Sequence, residues 1–154
     1  MYEDRIEKAV SLFRSGFNCA QSVVAAYADL YGFTEEQALK MSASFGGGIG
    51  RMRQTCGAAC GMFLLAGLET GATQADDREG KSYNYKVVQL LAERFKEQNG
   101  SLICAELLGI AKTQPISCEA EARTKTYYEK RPCAKMVEEA ARLFGEFLAD
   151  RKEV

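Results

Sequence analysis

The sequence predicts an all-α fold, a single-domain helical bundle of about five to seven helices. Apolar residues recur at helical spacing in most segments, the chain contains only two prolines, and no segment alternates apolar and polar residues as a strand would. A chain of 154 residues has the size of one domain and can bury a core without disulfides. We therefore expect one cysteine-rich helical domain over residues 1–154.

The first two helices are indicated by an apolar stripe and by the residues that end each helix. Ile6, Ala9, Val10 and Phe13 share one helix face, and Gly16 follows as a stop signal. Asn18 is a favoured N-cap residue, so a second helix should begin there and continue to Gly32.

The third and fourth helices are separated by a glycine-rich segment. Thr34 and Gln37 have the spacing of a capping box, so the third helix should begin there and end at the glycines 46–48. Thr55 should cap a strongly apolar fourth helix that ends at Gly71. Its apolar composition predicts a central position in the bundle.

The second half of the chain reads as a long helix, a short helix and a final amphipathic helix. The predicted segments are a surface loop at 73–80, a helix that ends at Asn99-Gly100, a short helix at 101–108, a loop at 109–117 that leads to Cys118, and a final helix from Pro132.

Composition and charge exclude several classes of function. Twenty basic and 21 acidic residues give a net charge of −1, which does not favour nucleic-acid binding. The charged start lacks the apolar segment of a secretory signal, and the apolar stretch at 62–68 is too short to span a membrane. We expect a cytoplasmic protein without membrane insertion, in which permanent disulfides are disfavoured.

Four of the six cysteines fall at predicted helix starts. They are Cys19 after Asn18, Cys56 after Thr55, Cys104 three residues after Ser101, and Cys133 after Pro132. Unpaired N–H groups and the positive end of the helix dipole stabilise a thiolate there, and the thiolate is both nucleophile and metal ligand. The alternative is that each cysteine is an idle, partly buried apolar residue.

The absence of histidine restricts the chemistry further. It excludes Cys–His and Ser–His–Asp mechanisms, and it leaves thiolates and carboxylates as metal ligands. Thiolate ligation favours zinc, copper(I) or an iron–sulfur cluster. Cys60 lies four residues after Cys56, on the same helix face, so both could contact one centre. The candidate metal ligands are Cys19, Cys56, Cys60, Cys104 and Cys133.

A glycine-rich segment precedes Cys56 and carries two arginines. It matches neither phosphate-binding glycine motif, so a nucleotide site of the usual kind is not indicated. Its alternative readings are a flexible turn with solvated arginines, or a loop that brings backbone and arginines close to the Cys56 sulfur and holds an anionic substrate. On the second reading, the candidate cofactor-binding residues are Gly47, Gly48, Arg51 and Arg53.

At these residues the chain resembles the C-GCAxxG-C-C family of redox-active proteins, over most of its length. Cys19, the segment 56–61 (Cys-Gly-Ala-Ala-Cys-Gly), Cys104 and Cys133 are similar to the family's motif cysteines. The chain departs from the family in reading Thr-Cys-Gly-Ala at 55–58, and Cys60 and Cys118 are additional. A related domain occurs in split-Soret cytochromes, but without histidine haem is not expected.

The sequence is compatible with three functions. The leading one is a thiolate site that binds an iron–sulfur cluster or other metal and transfers electrons to an unknown redox partner. The second is a metal-free thiol/disulfide oxidoreductase with Cys56 as catalytic nucleophile. The third is a redox- or metal-sensing module. The sequence does not decide whether the protein is an enzyme, and a homodimer is compatible with it.

Overall fold

Eight α-helices account for most of the residues that the computed structural model describes, 1–111 and 113–152. In chain order they are α1 (Glu3–Arg14), α2 (Cys19–Tyr27), α3 (Glu35–Ser42), α4 (Gly57–Thr70), α5 (Arg78–Asn99), α6 (Cys104–Leu108), α7 (Lys125–Lys130) and α8 (Cys133–Lys152). They form one helical domain, which confirms the predicted all-α class. Residue 112 of the predicted loop and residues 153 and 154 of the predicted domain lie outside the described residues.

Reciprocal capping boxes begin α2 and α3. The Asn18 side chain accepts a hydrogen bond from the Gln21 backbone N–H at 2.9 Å, and the Gln21 side chain accepts one from the Asn18 N–H at 3.1 Å. Thr34 and Gln37 form the same pair at the start of α3. Both helices end earlier than predicted, because a 3₁₀ turn follows each one, at Ala28–Tyr31 and Ala43–Phe45.

The core lies between α1, α2, α4 and α8, and α5 packs against α4 and α8. As predicted from its apolar composition, α4 is central, with most of its first ten residues buried. A Cβ at Gly61 would lie 3.0 Å from both the Ala20 oxygen and the Val23 Cβ, so this glycine allows α2 and α4 to pack closely. Tyr27 donates a buried hydrogen bond to the Ala141 carbonyl of α8 at 2.7 Å.

Three predicted helix starts are wrong in detail. The long helix α5 begins at Arg78, inside the predicted surface loop 73–80. Cys56 itself is the N-cap residue of α4, because Thr55 pairs with Ile103 in an isolated antiparallel bridge. Ile103 caps α6 without a side-chain hydrogen bond, while the Ser101 hydroxyl accepts a hydrogen bond from the Ile103 N–H. The short helix α7, capped by Thr124, was not predicted. Across the described part of the chain, each helix is too short or too polar to cross a membrane.

Candidate functional site

Four cysteines from four separate segments line one small cavity. Cys19, Cys56, Cys104 and Cys133 surround a space of about 50 Å³, which we call the cysteine chamber. Cys60 is buried in α4 but does not line the chamber, and its thiol donates to the Thr55 carbonyl at 3.7 Å. Cys118 is exposed and lines an adjoining cavity. The fold therefore brings together four of the five candidate metal ligands.

The bridge between Thr55 and Ile103 places Cys56 and Cys104 in the chamber. The Cys56 N–H donates to the Leu102 carbonyl at 2.6 Å, and the Cys104 N–H donates to the Gln54 carbonyl at 2.6 Å. These two hydrogen bonds hold the starts of α4 and α6 side by side. The convergence of these two cysteines thus depends on backbone pairing between remote segments, which helix periodicity does not encode.

Cys19 and Cys133 form a hydrogen-bonded pair within the chamber. Each is the first residue of its helix, α2 or α8. The Cys19 thiol donates a hydrogen bond to the Cys133 sulfur, which lowers the pKa of Cys133 to about 7, and the positive charges of Arg131, Arg123 and Arg53 act in the same direction. The same hydrogen bond and burial raise the pKa of Cys19. Cys133 is therefore the more acidic thiol of the pair.

The other buried cysteines favour the thiol, which contradicts the prediction that every helix start stabilises a thiolate. Burial raises the pKa of Cys56 to about 12, although its sulfur accepts hydrogen bonds from the Ala59 and Ala58 N–H groups. Burial also raises the pKa of Cys104, although the hydrogen bond from Arg53 acts in the opposite direction. Burial raises the pKa of Cys60 to about 11. Desolvation therefore outweighs the helix N-terminus at Cys56 and Cys104.

The glycine-rich segment is a left-handed turn that borders the chamber. Five consecutive residues, 47–51, have positive φ, and so does Arg53. Gly47 and Gly48 line the chamber, and a Cβ at Gly48 would lie 2.6 Å from the Cys104 Cβ. A side chain at residue 48 would therefore collide with the site. Both glycines serve close packing here, and their predicted role in holding a cofactor stays a prediction.

The two arginines of this turn have different partners. The Arg53 guanidinium donates to the Cys104 sulfur at 3.6 Å and lines the chamber. Arg51 does not line the chamber and pairs with Glu121 at 3.2 Å instead. The predicted approach of both arginines to Cys56 is therefore replaced by one contact with Cys104.

Three residues from the second half of the chain complete the wall of the chamber, and the sequence did not predict them. Arg123, Tyr127 and Arg131 line the chamber. Arg123 is fixed by hydrogen bonds to the Phe13 and Phe17 carbonyls, each at 3.0 Å. The signal that could have revealed them is the density of basic residues in 123–131, immediately before Cys133.

The adjoining cavity, which we call the vestibule, has a volume of about 420 Å³. It shares Asn18, Gly47, Arg53, Arg123, Tyr127 and Arg131 with the chamber. Arg51, Glu121 and Cys118 also line it. The vestibule therefore borders the chamber along this shared wall.

The chamber does not present a preformed metal site. Among residues 1–111 and 113–152, no three Cys, Asp or Glu side chains are arranged so that they could hold one metal ion. The cysteine side chains would have to move to ligate a metal or cluster together, so the predicted metal role of Cys19, Cys56, Cys60, Cys104 and Cys133 stays a prediction.

Fold and site together define a helical protein built around a cysteine chamber. The sequence model described as "Putative redox-active protein (C_GCAxxG_C_C)" matches residues 17–147. The chain belongs to this family of redox-active proteins, as the resemblance at the motif cysteines predicted. The search of the curated proteins and the search of the solved structures returned no match.

Proposed function

We propose that the protein exchanges electrons through reversible formation of a disulfide between Cys19 and Cys133. The proposal is carried by the placement of Cys19 and Cys133, which are remote in sequence, on the wall of the same small cysteine chamber. Their interaction there lowers the pKa of Cys133 and raises that of Cys19, so the two thiols differ in acidity. A thiolate nucleophile with an adjacent resolving thiol is the arrangement that disulfide exchange requires.

The exchange proceeds in two balanced steps. The Cys133 thiolate attacks one sulfur of a substrate disulfide, forming a mixed disulfide and releasing the other sulfur as a thiolate. Cys19 then gives its proton to the thiolate released in the first step and attacks the Cys133 sulfur, forming the Cys19–Cys133 disulfide and releasing the second substrate thiolate. The two cysteines lose two electrons, and the substrate disulfide gains them. A reducing redox partner that donates two electrons returns the protein to the dithiol.

The structure favours Cys133 over Cys56 as the nucleophile. Burial keeps Cys56 protonated near neutral pH, whereas Cys133 receives a hydrogen bond and faces three arginines. The predicted catalytic role of Cys56 is the alternative that the experiment has to exclude.

Thiol exchange with a neutral disulfide tests this assignment. Reduced protein with Cys118→Ser, which removes the exposed thiol, is mixed with bis(2-hydroxyethyl) disulfide, and the products are mapped by mass spectrometry. We expect loss of two thiols and a Cys19–Cys133 linkage. Cys19→Ser should accumulate a mixed disulfide on Cys133, and Cys133→Ser should not react. A mixed disulfide on Cys56 would contradict the proposal.

A metal or iron–sulfur centre is the second candidate, and one observation favours it. Four sulfurs line a cavity whose walls also carry three arginines, so positive charge is available to balance several thiolates. After side-chain movement, Cys19, Cys56, Cys104 and Cys133 would hold the group, and Cys60 would need a larger shift because it lies outside the chamber. When bound, an iron–sulfur cluster would supply one-electron transfer.

The two candidates differ in the cysteines that they require. Iron, zinc and sulfide are measured on protein purified without oxygen, in parallel with the thiol assay. A metal site should lose its metal on Cys56→Ser or Cys104→Ser, whereas disulfide formation should survive both substitutions. Both substitutions are made in the Cys118→Ser protein, and this parent is the reference for both assays, since Cys118 lies outside the chamber. A metal-free protein that forms the disulfide would support the first candidate alone.

The remaining expectations from the sequence belong to the same proposal. A cytoplasmic location would keep the chamber reduced between reactions. The redox partner, the absence of nucleic-acid binding and homodimer formation stay predictions.

A further inference from the structure

The vestibule has an unusual balance of charge at its centre. Arg51, Arg53 and Arg131 all approach the same Oε1 atom of Glu121, with the first two at 3.2 and 4.0 Å. One carboxylate therefore meets three guanidinium groups. Their side chains are between 15 and 22% exposed, so the excess positive charge is only partly screened by water. We call this set the arginine cluster.

The backbone holds two of these arginines in a conformation that non-glycine residues rarely adopt. Arg51 and Arg53 both have φ of 62°. Backbone hydrogen bonds from the Arg51 N–H to the Gly46 carbonyl, and from the Arg53 N–H to the Gly47 carbonyl, stabilise the turn. Strain of this kind persists where the surrounding structure requires it, and it concentrates at functional sites. Here it directs two guanidinium groups to one point.

The arginine cluster is also continuous with the reactive sulfurs. Arg53 and Arg131 line both the vestibule and the cysteine chamber. The vestibule, at about 420 Å³, falls within the usual size range of small-molecule sites. A ligand held by the cluster would thus lie against the wall that the vestibule shares with the chamber.

We propose that the vestibule binds the carboxylates of small anionic disulfides, and that Glu121 occupies their position when no substrate is present. The position of Glu121 indicates that the ligand group is a carboxylate, because the Glu121 carboxylate itself fits among the three guanidinium groups. Arginine also forms paired hydrogen bonds with carboxylates, which gives geometric selection as well as attraction.

This inference rests on the proposed disulfide exchange and specifies its substrate class. An incoming carboxylate displaces Glu121, which is 42% exposed and can turn towards water. The substrate S–S bond then lies towards Cys133, whose thiolate attacks one sulfur and releases the other as a thiolate. The carboxylates keep their charge throughout, so they contribute to binding and take no part in electron transfer.

Three disulfides of similar length and different charge test the selection. They are 3,3′-dithiodipropionate with two negative charges, bis(2-hydroxyethyl) disulfide with none, and cystamine with two positive charges. We expect the reduced Cys118→Ser protein to react with the dianion at least about tenfold faster than with the neutral compound, and slowest with cystamine. Equal rates with all three would overturn the inference and leave the proposed exchange standing.

Variants of the cluster locate the effect. Arg51→Gln should slow the reaction with the dianion by about tenfold and change the rate with the neutral disulfide by less than about twofold. Glu121→Gln should increase the rate of reaction with the dianion more than the rate with the neutral disulfide. Arg142→Gln is the matched control, because Arg142 pairs with Glu138 and Glu139 on α8 and lines neither cavity. If Arg142→Gln slowed the reaction with the dianion as much as Arg51→Gln does, the loss of one positive charge anywhere on the protein would explain the effect. The proposed binding site would then be refuted.

A binding measurement separates recognition from chemistry. Suberate has the length of 3,3′-dithiodipropionate with both sulfurs replaced by methylene groups, so it cannot react with a thiol. Calorimetry on the reduced protein should show suberate binding that weakens in Arg51→Gln and strengthens in Glu121→Gln. Absence of suberate binding would overturn the inference. No reaction with any of the three disulfides would instead overturn the proposed exchange.

Discussion

Replacing Cys19 should raise the pKa of Cys133. The hydrogen bond from Cys19 is the largest influence that lowers the pKa of Cys133 to about 7. A hydrogen bond to a charged group contributes roughly 1.5 kcal/mol, which corresponds to about one pKa unit. Cys19→Ala removes the donor, whereas Cys19→Ser keeps a hydroxyl that can donate. We therefore expect an upward shift of about one unit for alanine and a smaller shift for serine.

The assay is the rate of iodoacetamide modification of Cys133 against pH, followed by mass spectrometry in the Cys118→Ser background. Because the pKa is lowered, the reactive thiolate is present above about pH 7 and is lost as the pH falls through that value. The inflection should move towards pH 8 in Cys19→Ala. If the inflection stayed at the same pH without Cys19, the hydrogen bond would not control the ionisation of Cys133, and the reasoning would be refuted.

Two further predictions concern stability, measured by denaturant unfolding. Gly48→Ala should lower the free energy of unfolding by about 2–4 kcal/mol, because it combines a left-handed backbone with a collision against the Cys104 Cβ. Gly100→Ala is its control: φ there is also positive but space is open, so a loss of about 1–2 kcal/mol is expected, and equal losses would exclude the collision. Tyr27→Phe should cost about 1 kcal/mol by removing the hydrogen bond to Ala141, and an unchanged stability would show that this bond contributes nothing.

The parts of the fold that the sequence predicts are those encoded locally. The capping box of Thr34 and Gln37 is a contact between residues three positions apart, so it can be recognised without tertiary information. The central place of α4 follows from its apolar composition. The positions of Cys19 and Cys133 at helix starts were likewise predictable, since Asn18 and Pro132 immediately precede them.

The features that the sequence did not reveal depend on contacts between remote segments. Cys56 caps α4 because Thr55 pairs with Ile103, a partner 48 positions further along the chain. Thiol ionisation was mispredicted at Cys56 and Cys104 because burial, which periodicity does not measure, raises their pKa. The convergence of three arginines on Glu121 likewise exists only in the folded chain.

The two sulfurs of the proposed redox pair belong to helices near opposite ends of the chain, α2 and α8. A covalent link between them would close a loop from residue 19 to residue 133, which is most of the domain. Restricting the unfolded chain with a loop of about 100 residues is worth roughly 4–5 kcal/mol. Oxidised molecules would then resist heat, denaturant and proteases better than reduced ones. The stability of the protein would thus depend on the redox potential of its surroundings.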